Sequence, residues 1–273
     1  MTEQHQSPPT LLFMAVGLFV LLLIGGYMLW RAPGNYMPAD DHASQMASNA
    51  AEDALAAAGM SNADRKAMEA VVRAYILENP EIIPEAVEIL QKRDVAKRLT
   101  AAGSTVTRPF PGAEAGNPNG DVIMVEFSDY NCGFCRASVA DVQRLLKSDG
   151  NIRLIYRELP ILSQSSRDAA LWALAAAKQG KHKAFHDALF AGGSVTEASI
   201  IAAARRAGLD LAVAKSFASS NEATQEIERN LAMMQQIGFN GTPTFIIGDQ
   251  ILEGAMGYDA LKAAVEMARK KPD

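Results

Sequence analysis

The sequence predicts an α/β domain with an inserted all-helical subdomain, preceded by a transmembrane helix and a helical extension. Three observations predict it. Val122-Ile-Met-Val125 and Phe127 form an apolar run that reads as a strand covered on both faces, and it leads into a segment, 136–147, with apolar residues at helical spacing. Between this unit and a second apolar run, Thr244-Phe-Ile-Ile247, lie about 65 residues more than a crossover helix, a strand and a return helix require. Residues 11–30 are uncharged and apolar throughout, long enough as a helix to span about 30 Å of hydrocarbon.

In chain order, residues 1–10 form a polar tail and residues 11–30 the membrane helix. The run is longer than the apolar core of a cleaved secretory signal, no Lys or Arg precedes it, and no small-x-small site follows closely, so an uncleaved anchor is expected. Residues 31–60, rich in Ala, Asn and Ser, read as a stalk with one Ala-rich helix near 47–58. Ser61-Asn-Ala-Asp64 is a capping box that opens a helical extension over 61–100. Its first helix carries Met68, Val71, Val72, Tyr75 and Ile76 on one face, Asn79-Pro80 breaks it, and Ile82, Ile83, Ala86, Val87 and Leu90 begin a second stripe that runs to about Leu99. Two short helices cannot bury such faces alone. They pack either on the domain that follows or on the same helices of another copy.

The remaining domain covers 101–273. Residues 101–120, with four glycines and three prolines, read as a linker holding one short edge strand around 105–107. Residues 151–157 alternate as a strand that Glu158-Leu-Pro160 ends. The helical insertion spans about 163–237, with helices at 166–179, 182–190, 196–207, 211–219 and 221–237 punctuated by Gly180, Gly192-Gly193 and Gly208. Trp172, Phe185, Leu189 and Phe190 belong to its core. Gly248-Asp249 turns the last strand into Gln250-Ile-Leu-Glu253 as a hairpin, and 258–269 closes the chain as an amphipathic helix.

The chemistry sits at the strand-to-helix junction, in Cys132-Gly133-Phe134-Cys135. Free N–H groups and the partial positive charge of a first helical turn stabilise a thiolate, so Cys132 at the lip of the helix is the expected nucleophile. Cys135, one turn in, can attack a mixed disulfide at Cys132 and resolve it. Arg136 adds a positive charge beside them. A zinc site needs two further ligands, and the chain holds no other cysteine and four histidines, His5, His42, His182 and His186. His182 and His186 lie four apart, but Lys-His-Lys-Ala-Phe-His-Asp offers no further ligand, and surface or packing roles are expected. No metal and no other cofactor is expected. A structural bridge across two residues removes little loop entropy, which leaves redox chemistry. Glu126, in a strand otherwise apolar on both faces and six positions before Cys132, is expected to lie buried under the site, where a raised pKa lets it carry the proton of the resolving thiol. A net charge of −5 and a pI near 5.5 argue against nucleic acid as a partner.

Glu126-Phe-Ser-Asp-Tyr-Asn-Cys-Gly-Phe-Cys-Arg136, with Gly241-Thr-Pro-Thr-Phe245 far downstream, resembles the DsbA-like family of thiol:disulfide oxidoreductases over roughly residues 105–270. The resemblance implies a thioredoxin fold, cysteine-containing client proteins, a shuttle role for Glu126, and a cis-proline loop at Thr242-Pro243 that lies against the nucleophile and pairs with an extended substrate. It also implies a bacterial inner-membrane protein with its catalytic domain in the periplasm, and a membrane redox partner that re-oxidises or re-reduces the dithiol. Some relatives carry an N-terminal extension with an Asn-Pro-Glu turn, matched at Asn79-Pro80-Glu81, that assembles the protein, which implies a homo-oligomer through 61–99. Gly133-Phe134 departs from the Pro-His pair of the strongly oxidising members and looks closer to the Gly-Tyr pair of the isomerases, so both oxidase and isomerase follow from the resemblance. A further alternative is a redox-sensitive holding chaperone or assembly factor without catalytic turnover.

Overall fold

The computed structural model describes residues 41–270, which fall into two compact units divided after Pro80. The anchor expected at 11–30, the tail and the first part of the stalk lie outside the described residues. Among the described residues no helix is long and apolar enough to cross a membrane.

The first unit holds α1 (Asp41–Ala57) and α2 (Asn62–Glu78). The capping box is present: Asp64 N–H donates to Ser61 Oγ at 3.3 Å, and Ser61 N–H donates to Asp64 Oδ2 at 2.8 Å. The expected stop is present too, with Asn79 capping the last turn through Tyr75 O before Pro80. Helix α2 buries no residue within this unit; Met68, Val71, Val72, Tyr75 and Leu77 are between 42% and 67% exposed.

In the second unit α3 (Ile82–Ala102) has two different halves. Ile83, Val87, Ile89 and Leu90 are exposed, whereas Leu99 and Ala102 pack against Met233, Ile237 and Phe239, so the C-terminal part of the extension is packed in cis. The expected linker and edge strand at 105–107 do not form. Instead a 3-10 turn (Gly103–Thr105) leads into an ordered segment that buries Val106, Phe110 and Ala113 and ends in the edge strand β1 (Glu114–Gly116). The glycines and prolines here serve close packing: a Cβ at Gly112, whose φ is +84°, would collide with the carbonyl of Ala177.

Strands β2 (Val122–Ser128) and β3 (Ile152–Glu158) pair in parallel around the helix α4 (Gly133–Ser148). The insertion follows as α5 (Gln164–Lys178), α6 (His182–Ala191), α7 (Glu197–Arg206), α8 (Leu211–Ala218) and α9 (Asn221–Ile237), each within about two residues of its expected start. Ser163, Thr196, Asp210 and Ser220 cap four of them, which is why these breaks were readable. The chain returns through a hairpin of β4 (Thr244–Ile247) and β5 (Gln250–Glu253), in which β4 pairs antiparallel with both β2 and β5, and closes with α10 (Tyr258–Lys270). The sheet order is β1-β3-β2-β4-β5.

The period-2 alternation of β2 splits its residues between two cores. Met124 packs with Val142 and Leu145 of α4 and with Leu261 and Val265 of α10, while Val125 and Phe127 face α9 and the end of α3. Glu126 therefore shares the face of Met124, the face covered by the cysteine-bearing helix.

Candidate active site

Strand β2 ends at Ser128, and Asp129-Tyr130-Asn131 turns the chain into α4 with Cys132 as N-cap. Asp129 organises that turn. Its Oδ1 accepts from Asn131 N–H at 2.8 Å, its carbonyl from Cys132 N–H at 3.0 Å, and its Oδ2 from the N–H groups of Ile161 and Leu162 at 2.9 and 3.0 Å. One buried carboxylate thus ties the loop after β3 to the cysteine turn. Asn131 adds hydrogen bonds to Ser163, Ser165 and Ser166 at the start of α5.

Both cysteines are free thiols. Cys132 Sγ accepts from Cys135 N–H at 3.4 Å, the helix-start contact expected from its position, and donates to the carbonyl of Thr242 at 3.1 Å. Cys135 is fully buried, faces Asp129 N–H at 3.5 Å, and burial pushes its thiol well above the usual range. The Thr242-Pro243 bond is cis, and Pro243 O is held by Gly254 N–H at 2.7 Å, so the loop is anchored to the hairpin. Phe134, between the cysteines, is 69% exposed.

Glu126 is 1% exposed, buried as its place in an apolar strand predicts. Its Oε1 has no hydrogen-bond partner among the described residues. Burial first, then the carboxylates of Glu158 and Asp187, push its pKa up to about 8.

Two readings of the sequence are refined here. Arg136 does not aim its charge at the cysteines; its guanidinium donates to Phe190 O at 2.8 Å and to Gly193 O, which binds α4 to the insertion. His182 and His186 are not surface residues. Both are buried under the site, His182 Nε2 lies 2.7 Å from Glu158 Oε1, and Tyr130 OH stands 3.4 Å from both Glu158 Oε1 and His186 Nδ1. Glu158 went unnoticed in the sequence, although it ends a buried strand as Glu126 interrupts one. Among the described residues no group of three His, Cys, Asp or Glu side chains could hold a metal ion.

A thioredoxin family model matches residues 111–267, from the segment before β1 into α10. The chain belongs to the thioredoxin family. A second model, the N-terminal domain of copper resistance protein ScsC, matches residues 64–97, the extension. Among solved thioredoxin-like structures, a thioredoxin-like oxidoreductase from Silicibacter pomeroyi is 42% identical, covering 62% of this chain and 99% of that one with a TM-score of 0.59. The thiol-disulfide exchange protein alpha-DsbA2 from Wolbachia pipientis is 29% identical, covering 65% and 97% with a TM-score of 0.60. Among curated proteins, Na(+)/H(+) antiporter NhaA 1 of Salinispora arenicola is 31% identical over 150 residues, 54% of this chain. The chain spans only 23% of the length of that relative.

Proposed function

We propose that this thioredoxin-family chain is a protein thiol:disulfide oxidoreductase that forms or reshuffles disulfides in extracytoplasmic client proteins. The observation that carries the reading is the sulfur of Cys132, at a helix start, bonded to the carbonyl of Thr242 with Cys135 behind it. Cys132 is the nucleophile, Cys135 the resolving thiol, and Glu126 the proton carrier. Thr242 and Pro243 hold an extended client segment beside Cys132 by backbone pairing. The likeness to a thiol-disulfide exchange protein over nearly its whole length supports this chemistry.

Residues 11–30 anchor the chain in a bacterial inner membrane with the domain in the periplasm, and a membrane redox partner resets the dithiol. The extension at 61–99 assembles copies of the chain. The exposed apolar residues of α2, those of the first half of α3, and the match of 64–97 to the ScsC N-terminal domain support that assembly. Tethering several dithiols around one client raises their local concentration and favours reshuffling over one-way oxidation.

The test is capture in cells. The full-length Cys135→Ala protein, expressed in its membrane, accumulates mixed disulfides with client proteins that dissolve on reduction, and Cys132→Ala captures none. Equal capture by both variants, or by neither, refutes the assignment. If the Cys132→Ala, Cys135→Ala double variant suppresses client aggregation as well as the wild type does, the holding-chaperone reading takes its place.

A further inference from the structure

Glu158 closes β3 in register with Ser128, and Tyr156 is in register with Glu126, so Glu158 stands on the sheet face of Glu126, one diagonal away. Such diagonal neighbours are about 7–8 Å apart. His182 bonds Glu158 from α6, and its fully covered imidazole lies beneath a surface cavity of about 430 Å³ shaped by Gly112, Glu114, Lys181, Lys183 and Asp187. Three atoms along this line, Glu126 Oε1, Glu158 Oε2 and His182 Nδ1, are buried without a hydrogen-bond partner among the described residues. A buried polar atom left without a hydrogen-bond partner destabilises the fold, so three in one place call for a function.

We propose that Glu158 and His182 form a proton relay that connects Glu126 to solvent through this cavity, on the side of the domain where α6 covers the sheet. The proposal rests on the dithiol-exchange reading above. When a client thiolate attacks Cys132 of the Cys132–Cys135 disulfide, a bond forms between Cys132 and the client sulfur, the Cys132–Cys135 bond breaks, and the electron pair leaves on Cys135. That thiolate, deeply buried, takes a proton from Glu126. The carboxylate left behind is re-protonated from the Glu158–His182 couple, which draws its proton from the cavity. When Cys135 resolves a mixed disulfide, the same proton travels outward. Glu158 and His182 act through Glu126 and are positioning residues. The groups that face them are Glu126 on β2, Asp129 and Tyr130 in the turn, Tyr156 on β3, and Lys183, His186 and Asp187 on α6. Burial, then His182 and Lys183, holds His186 well below the usual histidine range, so it stays neutral and contributes a hydrogen bond to Tyr130.

The experiment converts the full-length protein in detergent to its disulfide and follows opening by a dithiol peptide from about pH 5 to 9. Wild type is compared with Glu158→Gln, His182→Gln, and His182→Ala with and without imidazole. Opening slows about tenfold in the Gln variants, and their pH–rate profiles change shape, as expected for a lost proton-transfer group. Alkylation of reduced Cys132 is unchanged, and imidazole, entering by the cavity, restores His182→Ala. Variant profiles that superimpose on the wild type overturn the relay, as does a folded His182→Ala protein that imidazole does not rescue. Should His182→Ala fail to fold, the profile of His182→Gln decides. A wild-type protein whose disulfide the peptide cannot open overturns the exchange reading itself, and the relay with it.

Discussion

The sulfur of Cys132 and the carbonyl oxygen of Thr242, 110 positions apart in the chain, meet at 3.1 Å. The contact exists because β2 and β4 are antiparallel neighbours: the turn that leaves β2 and the loop that enters β4 arrive at the same end of the sheet. Everything between them, the insertion included, is a detour that returns to this point.

The two thiols differ in access. Cys132 keeps a small exposed area at the helix start, whereas Cys135 is sealed and burial pushes its thiol up. Iodoacetamide at neutral pH is expected to label Cys132 at least about tenfold faster than Cys135, as peptide mapping by mass spectrometry can read. Faster labelling of Cys135 contradicts the assigned roles.

Glu126 weakens the folded state above acidic pH. Its pKa rises from 4.5 to about 8 on folding, so the native protein binds more protons than the unfolded chain between those values. Its contribution to stability is therefore intact below pH 4.5, is lost progressively as pH rises, and levels off above about 8. Glu126→Gln is expected to stabilise the protein by about 3 kcal/mol at pH 7 and by almost nothing near pH 4, measured by denaturant unfolding at both values. An equal effect at the two pH values contradicts a buried, titrating carboxyl.

Arg157 fastens the segment before β1 to the sheet. Its guanidinium, 4% exposed, pairs with Glu226 at 3.0 Å, bonds Asn230, and donates to the carbonyls of Thr105, Val106 and Arg108. Burial lowers its pKa, and Glu226 opposes that shift. Arg157→Ala leaves Glu226 and three carbonyls short of a donor and is expected to cost about 3–5 kcal/mol in thermal or urea unfolding. A loss below about 1 kcal/mol would mean that the segment holds itself.

Assembly is tested by charge on the exposed face of α2. Val71→Asp and Tyr75→Asp are expected to convert the oligomer to a monomer in light scattering without altering the melting of the thioredoxin-family domain. Leu99→Asp, placed in the packed half of α3, is expected to lower that melting instead. A wild-type protein that is already monomeric removes the basis for assembly.

The cysteine turn and the helical insertion were legible because each is written locally, as a strand feeding a helix and as capping residues at four of the breaks, whereas the cis bond at Thr242-Pro243 followed from the family resemblance and not from the local residues. The burial of Glu126 was legible for the same reason, since an acid inside a continuous apolar run has nowhere else to go. The Glu158–His182 contact was not, because it depends on the β2–β3 register and on α6 lying across that face. Residues 103–116 misled for a compositional reason. Gly and Pro marked a linker there, while the few apolar residues between them, Val106, Phe110 and Ala113, carry the packing. The direction of Arg136 is decided by two carbonyls more than fifty positions away, which no local pattern encodes.

In the dithiol form, the hydrogen on Cys132 sulfur occupies a lone pair of Thr242 oxygen. Oxidation removes that hydrogen, and the carbonyl loses its donor while remaining fixed in place. On the proposed function, a backbone N–H of an extended client is expected to take that place. The disulfide form is therefore expected to hold an extended client more tightly than the dithiol form, in which Cys132 S–H occupies that oxygen. On that reading, a single S–H···O contact couples the grip on a client to the oxidation state of the dithiol.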